Sequence, residues 1–168
     1  MAIVSSADAG LKAAARATLL QLRAPSLDIR ELEDEAIRLV SESPRPVIVS
    51  SRCDVALACG AAGVNLPERD IPTGDARALM GARLVGRSVH SLESAQHAED
   101  ELADFVIFGP VWESASHAGG KAVGLVALAR VARALRIPVL AIGGVTEERI
   151  AECVAAGAAG YAAIGLFA

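Results

Sequence analysis

"IPVLAIGGVTEERIAECVAAGAAGYAAI", residues 137–164, is one complete structural unit. An apolar run from Ile137 to Ile142 meets a Gly-Gly pair. Thr146 stands before "EER" as a helix start signal, and Gly157 follows the next apolar run as a stop signal. A second apolar run then begins at Gly160. Strand, tight turn, helix and strand in this order form a parallel βαβ unit, because parallel neighbours need a crossover.

The same alternation extends back to the start of the chain. Strands are predicted at 1–6, 18–24, 45–51, 62–68, 82–91, 103–111, 137–144 and 160–168. Several are unbroken apolar runs, as expected for parallel strands covered on both faces. Helical patterns lie between them, at 8–17, 27–42, 91–103, 123–135 and 146–157. In the second, Leu27, Leu32, Ile37 and Val40 are apolar while acids and arginines fill the other face. Ser91 is a candidate N-cap for the third. "CDVALACGA" (53–61) and "DARALMGA" (75–82) are short helices at most.

Eight strands in alternation predict an α/β fold with a parallel sheet. The expectation is a single-domain (β/α)8 TIM barrel over 1–168 that is short and lacks a final eighth helix. Each unit has only about 21 residues, lean for a fold that typically takes roughly 250. The chain stops just after the eighth strand, which predicts uncovered apolar surface over strands eight and one, closed by a partner subunit or left by trimming. An open doubly wound sheet is the rival, weakened because no GxGxxG follows the first strand.

Composition narrows the function. Hydrophobic residues make up 53% and aromatics 3%, so the core is built of Ala, Val, Ile and Leu. The net charge is −4, and no basic block is interleaved with aromatics, which excludes nucleic acid as the expected partner. An anionic small molecule is still compatible, since a local site can be basic on an acidic protein. Three cysteines without CxxC spacing fit a reduced, cytoplasmic compartment. No run reaches the ~18 apolar residues needed to span a bilayer, and the first ten residues lack signal-peptide character.

In a barrel of this kind the chemistry sits at the C-terminal ends of the strands. Strand two presents Gln21 and Arg23, strand three Ser50 and Ser51, strand four Asn65, Glu68 and Asp70. Strand five presents Arg87, Ser88 and His90, and strand six Gly109 and Pro110. After strand six comes a Gly- and Ser-rich loop with Ser114, Ser116, His117 and Lys121. Gly143 and Gly144 follow strand seven; Ile164 and Gly165 follow strand eight. Backbone N–H groups at such turns can cradle a phosphate, or the glycines can simply make tight turns.

Taken together, "LQLRA", "VIVSSRCDVALACGAAGVNLPERDIP", "GRSVHSLESAQHAE", "ADFVIFGPVWES" and "IPVLAIGGVTEERI" resemble the thiamine phosphate synthase family and its TenI-type thiazole tautomerase branch. The resemblance runs from about Leu20 to Ile164. It implies a homodimeric barrel acting in thiamine biosynthesis on a small phosphorylated heterocycle. The synthase branch joins a pyrimidine diphosphate to a thiazole phosphate with Mg2+ on the diphosphate. The tautomerase branch isomerises a thiazole carboxylate phosphate.

Carried over residue by residue, the resemblance implies substrate binding by Gln21, Ser50, Ser51, Asn65, Ser88, His90, Ser114, Ser116 and Lys121. It implies phosphate binding by Gly143, Gly144, Ile164 and Gly165, with Gly165 in place of a Ser. Asp70 corresponds to one metal-binding carboxylate. Arg23 and His117 are the candidate catalytic residues. The chain departs from the synthase pattern at Pro25, Ser51 and His117, where Lys, Asp and Lys are expected, which leaves a weakened Mg2+ site. It departs from the tautomerase pattern at Pro110, where a His acts as acid/base. Three readings follow: a synthase-like transferase, a tautomerase-like isomerase with a shifted base, and a non-catalytic phosphate-ligand binder or regulator.

Overall fold

The computed structural model describes residues 1–113 and 122–167. Eight parallel strands run in sequence order: β1 (Ala2–Val4), β2 (Leu20–Leu22), β3 (Val47–Ser50), β4 (Gly63–Leu66), β5 (Leu84–Val89), β6 (Phe105–Phe108), β7 (Val139–Ile142) and β8 (Gly160–Ala162). Seven helices alternate with them among the described residues: α1 (Ala7–Ala13), α2 (Ile29–Glu42), α3 (Cys53–Ala58), α4 (Thr73–Met80), α5 (Leu92–Asp100), α6 (Gly124–Ala134) and α7 (Ile150–Ala155). A parallel bridge from Ala2 to Ala163 closes the ring. The Ile3 N–H donates to the Ala163 carbonyl at 2.9 Å, and the Ala163 N–H to the Met1 carbonyl at 3.2 Å. The expected TIM-barrel-like fold is therefore present.

β1, β2, β4 and β6 are buried along their whole length, and apolar runs such as those of β1 and β6 follow from that two-sided burial. Inside, Ile3, Ile48, Phe105, Ile107 and Ala162 form one cluster. Outside, the helices pack two larger ones, around β1–β4 and around β5–β7. The interior is filled to contact. A Cβ at Gly86 would lie 2.2 Å from Cζ of Phe105, so only glycine lets that ring cross the barrel.

Helix starts follow local chemistry. Asp28 caps α2, accepting from Arg30 and Glu31 N–H at 2.9 Å each, and Glu31 returns the bond to the Asp28 N–H. Ser91 caps α5 as expected, accepting from the Ser94 N–H at 3.0 Å. Both short helices form, as α3 and α4.

Three boundaries differ from the sequence expectation. The first helix runs from Ala7 to Ala13 under a Ser6 cap, not to residue 17. The last helix starts at Ile150, not at Thr146, because the chain first makes a tighter turn, with the Arg149 N–H donating to the Thr146 carbonyl at 3.1 Å. The eighth strand stops at Ala162. Beyond it the chain turns, and Phe167 stacks on Tyr161 with ring centroids 5.9 Å apart. Phe167 thereby joins the outer core, covering apolar surface at β8 that was expected to lie bare.

Candidate active site

Alternate residues of a strand share a face. The inward positions near the C-terminal ends are therefore Gln21 and Arg23, Ser50, Asn65, Ser88 and His90, Gly109, Ile142 and Ile164. These residues line one cavity of about 230 Å³ at the barrel mouth. Gly143 lines it as well. The predicted substrate-binding set from β2 to β5 is thus brought together, except Ser51.

The floor is polar and deeply buried. Gln21 and Asn65 are each 2% exposed. Asn65 Nδ2 donates to Ser88 Oγ at 3.1 Å. Gln21 Oε1 and Asn65 Oδ1 have no hydrogen-bond donor among the described residues. An orphaned buried acceptor costs about 1–3 kcal/mol, so a ligand that delivers N–H donors gains that energy back.

A second set of groups meets at the turns after β7 and β8. Gly143, Gly144, Ile164 and Gly165 line a cavity of about 350 Å³ that adjoins the first. Gly143 and Gly144 have φ of 91° and 65°, values that L side chains rarely adopt. Their carbonyls are engaged: Trp112 N–H donates to Gly143 at 3.0 Å, and Arg149 Nη1 to Gly144 at 2.7 Å. The Arg149 guanidinium also lies 4.8 Å from the Trp112 ring centroid. None of the described residues accepts from the N–H of Gly144 or Gly165. Donors without partners at a turn suit an anion.

His90 Nδ1 contacts the Gly109 carbonyl, and its backbone N–H donates to Glu68 Oε1 at 3.2 Å. A carbonyl can only accept, so Nδ1 carries a proton. That Nε2 lies 4.0 Å from Glu68 Oε2. His90 and Glu68 thus stand side by side at the rim. Arg87 is not a substrate group. Its guanidinium donates to the carbonyls of Ile71 at 2.6 Å and Glu68 at 2.8 Å, clamping the loop after β4.

Ser51 and Asp70 stand beside the cavity rather than in its lining. The Ser51 hydroxyl donates to Asp70 Oδ2, and the Ile71 N–H to Oδ1 at 2.8 Å. Each oxygen thus accepts one hydrogen bond and keeps a second lone pair. Among the described residues no group of three His, Cys, Asp or Glu side chains is placed to hold a metal ion. Asp70 is the carboxylate that would hold a hard Mg2+ together with a substrate's phosphoryl oxygens. Ser114, Ser116, His117 and Lys121 lie outside the described residues, and so does their candidate chemistry. Two residues went unnoticed as rim groups: Lys12, hidden in an alanine-rich helix, and Arg149, hidden in an acidic turn.

The family described as thiamine monophosphate synthase matches residues 2–167. This chain belongs to that family. Among curated members it is 39% identical over 152 residues to the "Putative thiamine-phosphate synthase 2" of Aquifex aeolicus, covering 89% of this chain and 82% of the relative. It is 42% identical over 150 residues to the "Putative thiamine-phosphate synthase" of Geobacter sulfurreducens, covering 86% and 70%. Among solved structures, the thiamine phosphate pyrophosphorylase of Pyrococcus furiosus superposes with a TM-score of 0.87 at 29% identity, covering 97% of this chain and 84% of that one. Membership agrees with a site at the C-terminal ends of the strands. No helix among the described residues is long and apolar enough to cross a membrane.

Proposed function

We propose that the protein carries out the reaction its curated relatives are named for, joining an aminopyrimidine diphosphate to a thiazole phosphate. The observation that carries this reading is the pair of buried, donor-less amide oxygens, Gln21 Oε1 and Asn65 Oδ1. An aminopyrimidine brings N–H donors to such a floor. The thiazole phosphate goes to the neighbouring turns, where the Gly144 and Gly165 N–H groups meet no acceptor among the described residues.

The reaction breaks the C–O bond to the diphosphate and forms a C–N bond to the thiazole nitrogen. Negative charge collects on the departing diphosphate, so cations at the rim lower the barrier. Arg23 is the strand-two cation there. The cavity walls Ile107 and Ile142 keep water off the carbon while it is electron-poor. His90 and Glu68 position the rim.

The test is to mix the protein with both substrates and look for thiamine phosphate. Gln21→Met then raises KM for the pyrimidine substrate by about 3- to 10-fold, the worth of one hydrogen bond. If neither substrate binds, the reading fails. A second reading, binding without turnover, is favoured by the Ser51–Asp70 hydrogen bond, which takes up a lone pair of the carboxylate. Binding of both substrates with no product would select it.

A further inference from the structure

The turn after β7 is held from behind. The Val111 N–H donates to the Ile142 carbonyl at 2.8 Å and the Trp112 N–H to the Gly143 carbonyl at 3.0 Å, which laces the segment after β6 onto the turn. Arg149 secures the next position. Its Nη1 donates to the Gly144 carbonyl at 2.7 Å, and its guanidinium lies 4.8 Å from the Trp112 ring centroid. Among the described residues no carboxylate lies within ion-pair distance of Arg149. A Cβ at Gly144 would lie 2.7 Å from Trp112 Cβ, a distance that only glycine permits. Gly143, Gly144, Val145 and Thr146 line the cavity of about 350 Å³, whereas Trp112 and Arg149 do not.

In a trans peptide the C=O and the following N–H point in opposite directions. Holding the Gly143 carbonyl on Trp112 therefore aims the Gly144 N–H away from Trp112. Holding the Gly144 carbonyl on Arg149 aims the Val145 N–H away from Arg149. None of the described residues accepts from either N–H. Two pinned carbonyls thus fix the direction of two consecutive donors. A charged donor on the Gly144 carbonyl also polarises that peptide and strengthens its N–H. The Trp112 ring attracts the guanidinium and keeps it in place.

We infer that Arg149 and Trp112 are positioning residues, which present the Gly144 and Val145 N–H groups to a phosphoryl group without touching it. The inference rests on the proposed phosphate reading of the turns after β7 and β8.

Inorganic phosphate is the probe, titrated into the full chain and followed by phosphorus NMR. Arg149→Met, which has no donor for the carbonyl, weakens binding by about 3- to 10-fold, the worth of one hydrogen bond. Trp112→Phe keeps a ring beside the guanidinium and stays within about twofold of wild type. Trp112→Leu removes the ring and weakens binding, and the double variant with Arg149→Met is no weaker than Arg149→Met alone. Amide spectra separate positioning from charge. At saturating phosphate, the downfield shift of the Gly144 and Val145 N–H resonances stays smaller in Arg149→Met than in wild type. A guanidinium that acted by charge alone would cost affinity and leave the saturated shift unchanged. That result overturns the inference, as do additive losses in the double variant. Arg130→Gln, an exposed arginine on α6, changes nothing, and equal weakening by it also overturns the inference. Trp112 packs against the outer core, so melting curves accompany its variants; Arg149→Met alone suffices to refute. Phosphate binding by wild type that Arg149→Met leaves unchanged discards the positioning role and keeps the phosphate reading. No phosphate binding by wild type discards both.

Discussion

Restoring a carboxylate at position 51 recreates the expected metal pair. Ser51 has φ 68°, in the left-handed region that Asp tolerates better than most residues, so Ser51→Asp keeps the loop. The variant loses the hydroxyl that donates to Asp70, and a hydrogen bond to a charged group contributes about 1.5–3 kcal/mol. It also gains a like charge. Two unit charges about 4 Å apart repel by about 4 kcal/mol at an effective dielectric of about 20. Both side chains are half-exposed, so solvent removes much of that repulsion. A net cost of about 3 kcal/mol lowers Tm by roughly 6–12 °C in a domain of this size. Two facing carboxylates are what a hard divalent cation takes, so Mg2+ returns most of the loss. Calorimetric melts with chelator and with Mg2+ read the stability, and the free Mn2+ resonance signal reads binding directly. The variant quenches that signal at lower Mn2+ concentration than wild type does. Equal Mn2+ binding by wild type, or a variant that melts with wild type in chelator, would refute the reasoning.

Gly165→Ser enters open space, since a Cβ there meets nothing within 4 Å. It adds a hydroxyl to the cradle and tightens inorganic phosphate by about 3- to 10-fold in a phosphorus NMR titration; an unchanged Kd removes Gly165 from the cradle. Gly86→Ala places a methyl 2.2 Å from the Phe105 ring and costs about 1–3 kcal/mol in urea unfolding. Adding Phe105→Leu recovers part of that cost, so strictly additive losses would argue against the contact. Burial, the largest cause, pushes all three thiols above their usual range, and Asp70 and Asp54 add to it at Cys53. A thiol reagent at neutral pH therefore reacts with the folded protein at least about tenfold more slowly than with the unfolded chain. Fast labelling of the buried Cys53 or Cys153 in the native state would contradict this.

The strands were legible because two-sided burial writes the same apolar run eight times. The polar floor was legible too. Gln21, Ser50, Asn65 and Ser88 interrupt such runs at inward positions, where an unpaired polar group is costly unless it serves a ligand. Other features depend on proximity across the chain and leave no local mark. Nothing near Arg87 announces that it clamps carbonyls 16 to 19 residues earlier. Arg149 looks like part of an acidic helix start, yet it holds the Gly144 carbonyl and stacks on Trp112. The helix begins four residues later than Thr146 suggests because residues 146–150 first close a tighter turn. Asp70 was read correctly as a loop carboxylate. Its engagement by Ser51 follows from the left-handed turn at Ser51, which residue type alone does not specify.

Floor and rim answer to different constraints. Gln21 and Asn65 are almost wholly buried and packed among the barrel's inner side chains, so replacing either disturbs the fold as well as the ligand. Pro25, Arg23 and Lys12 are exposed, and a change there leaves the strands untouched. Exposed positions of this kind usually shift stability by no more than about 0.5 kcal/mol. The polar floor is therefore tied to the fold, whereas the charges at the rim can change at little structural cost. A chain can lose the Lys expected at position 25 and keep the same barrel, provided another cation reaches the same cavity.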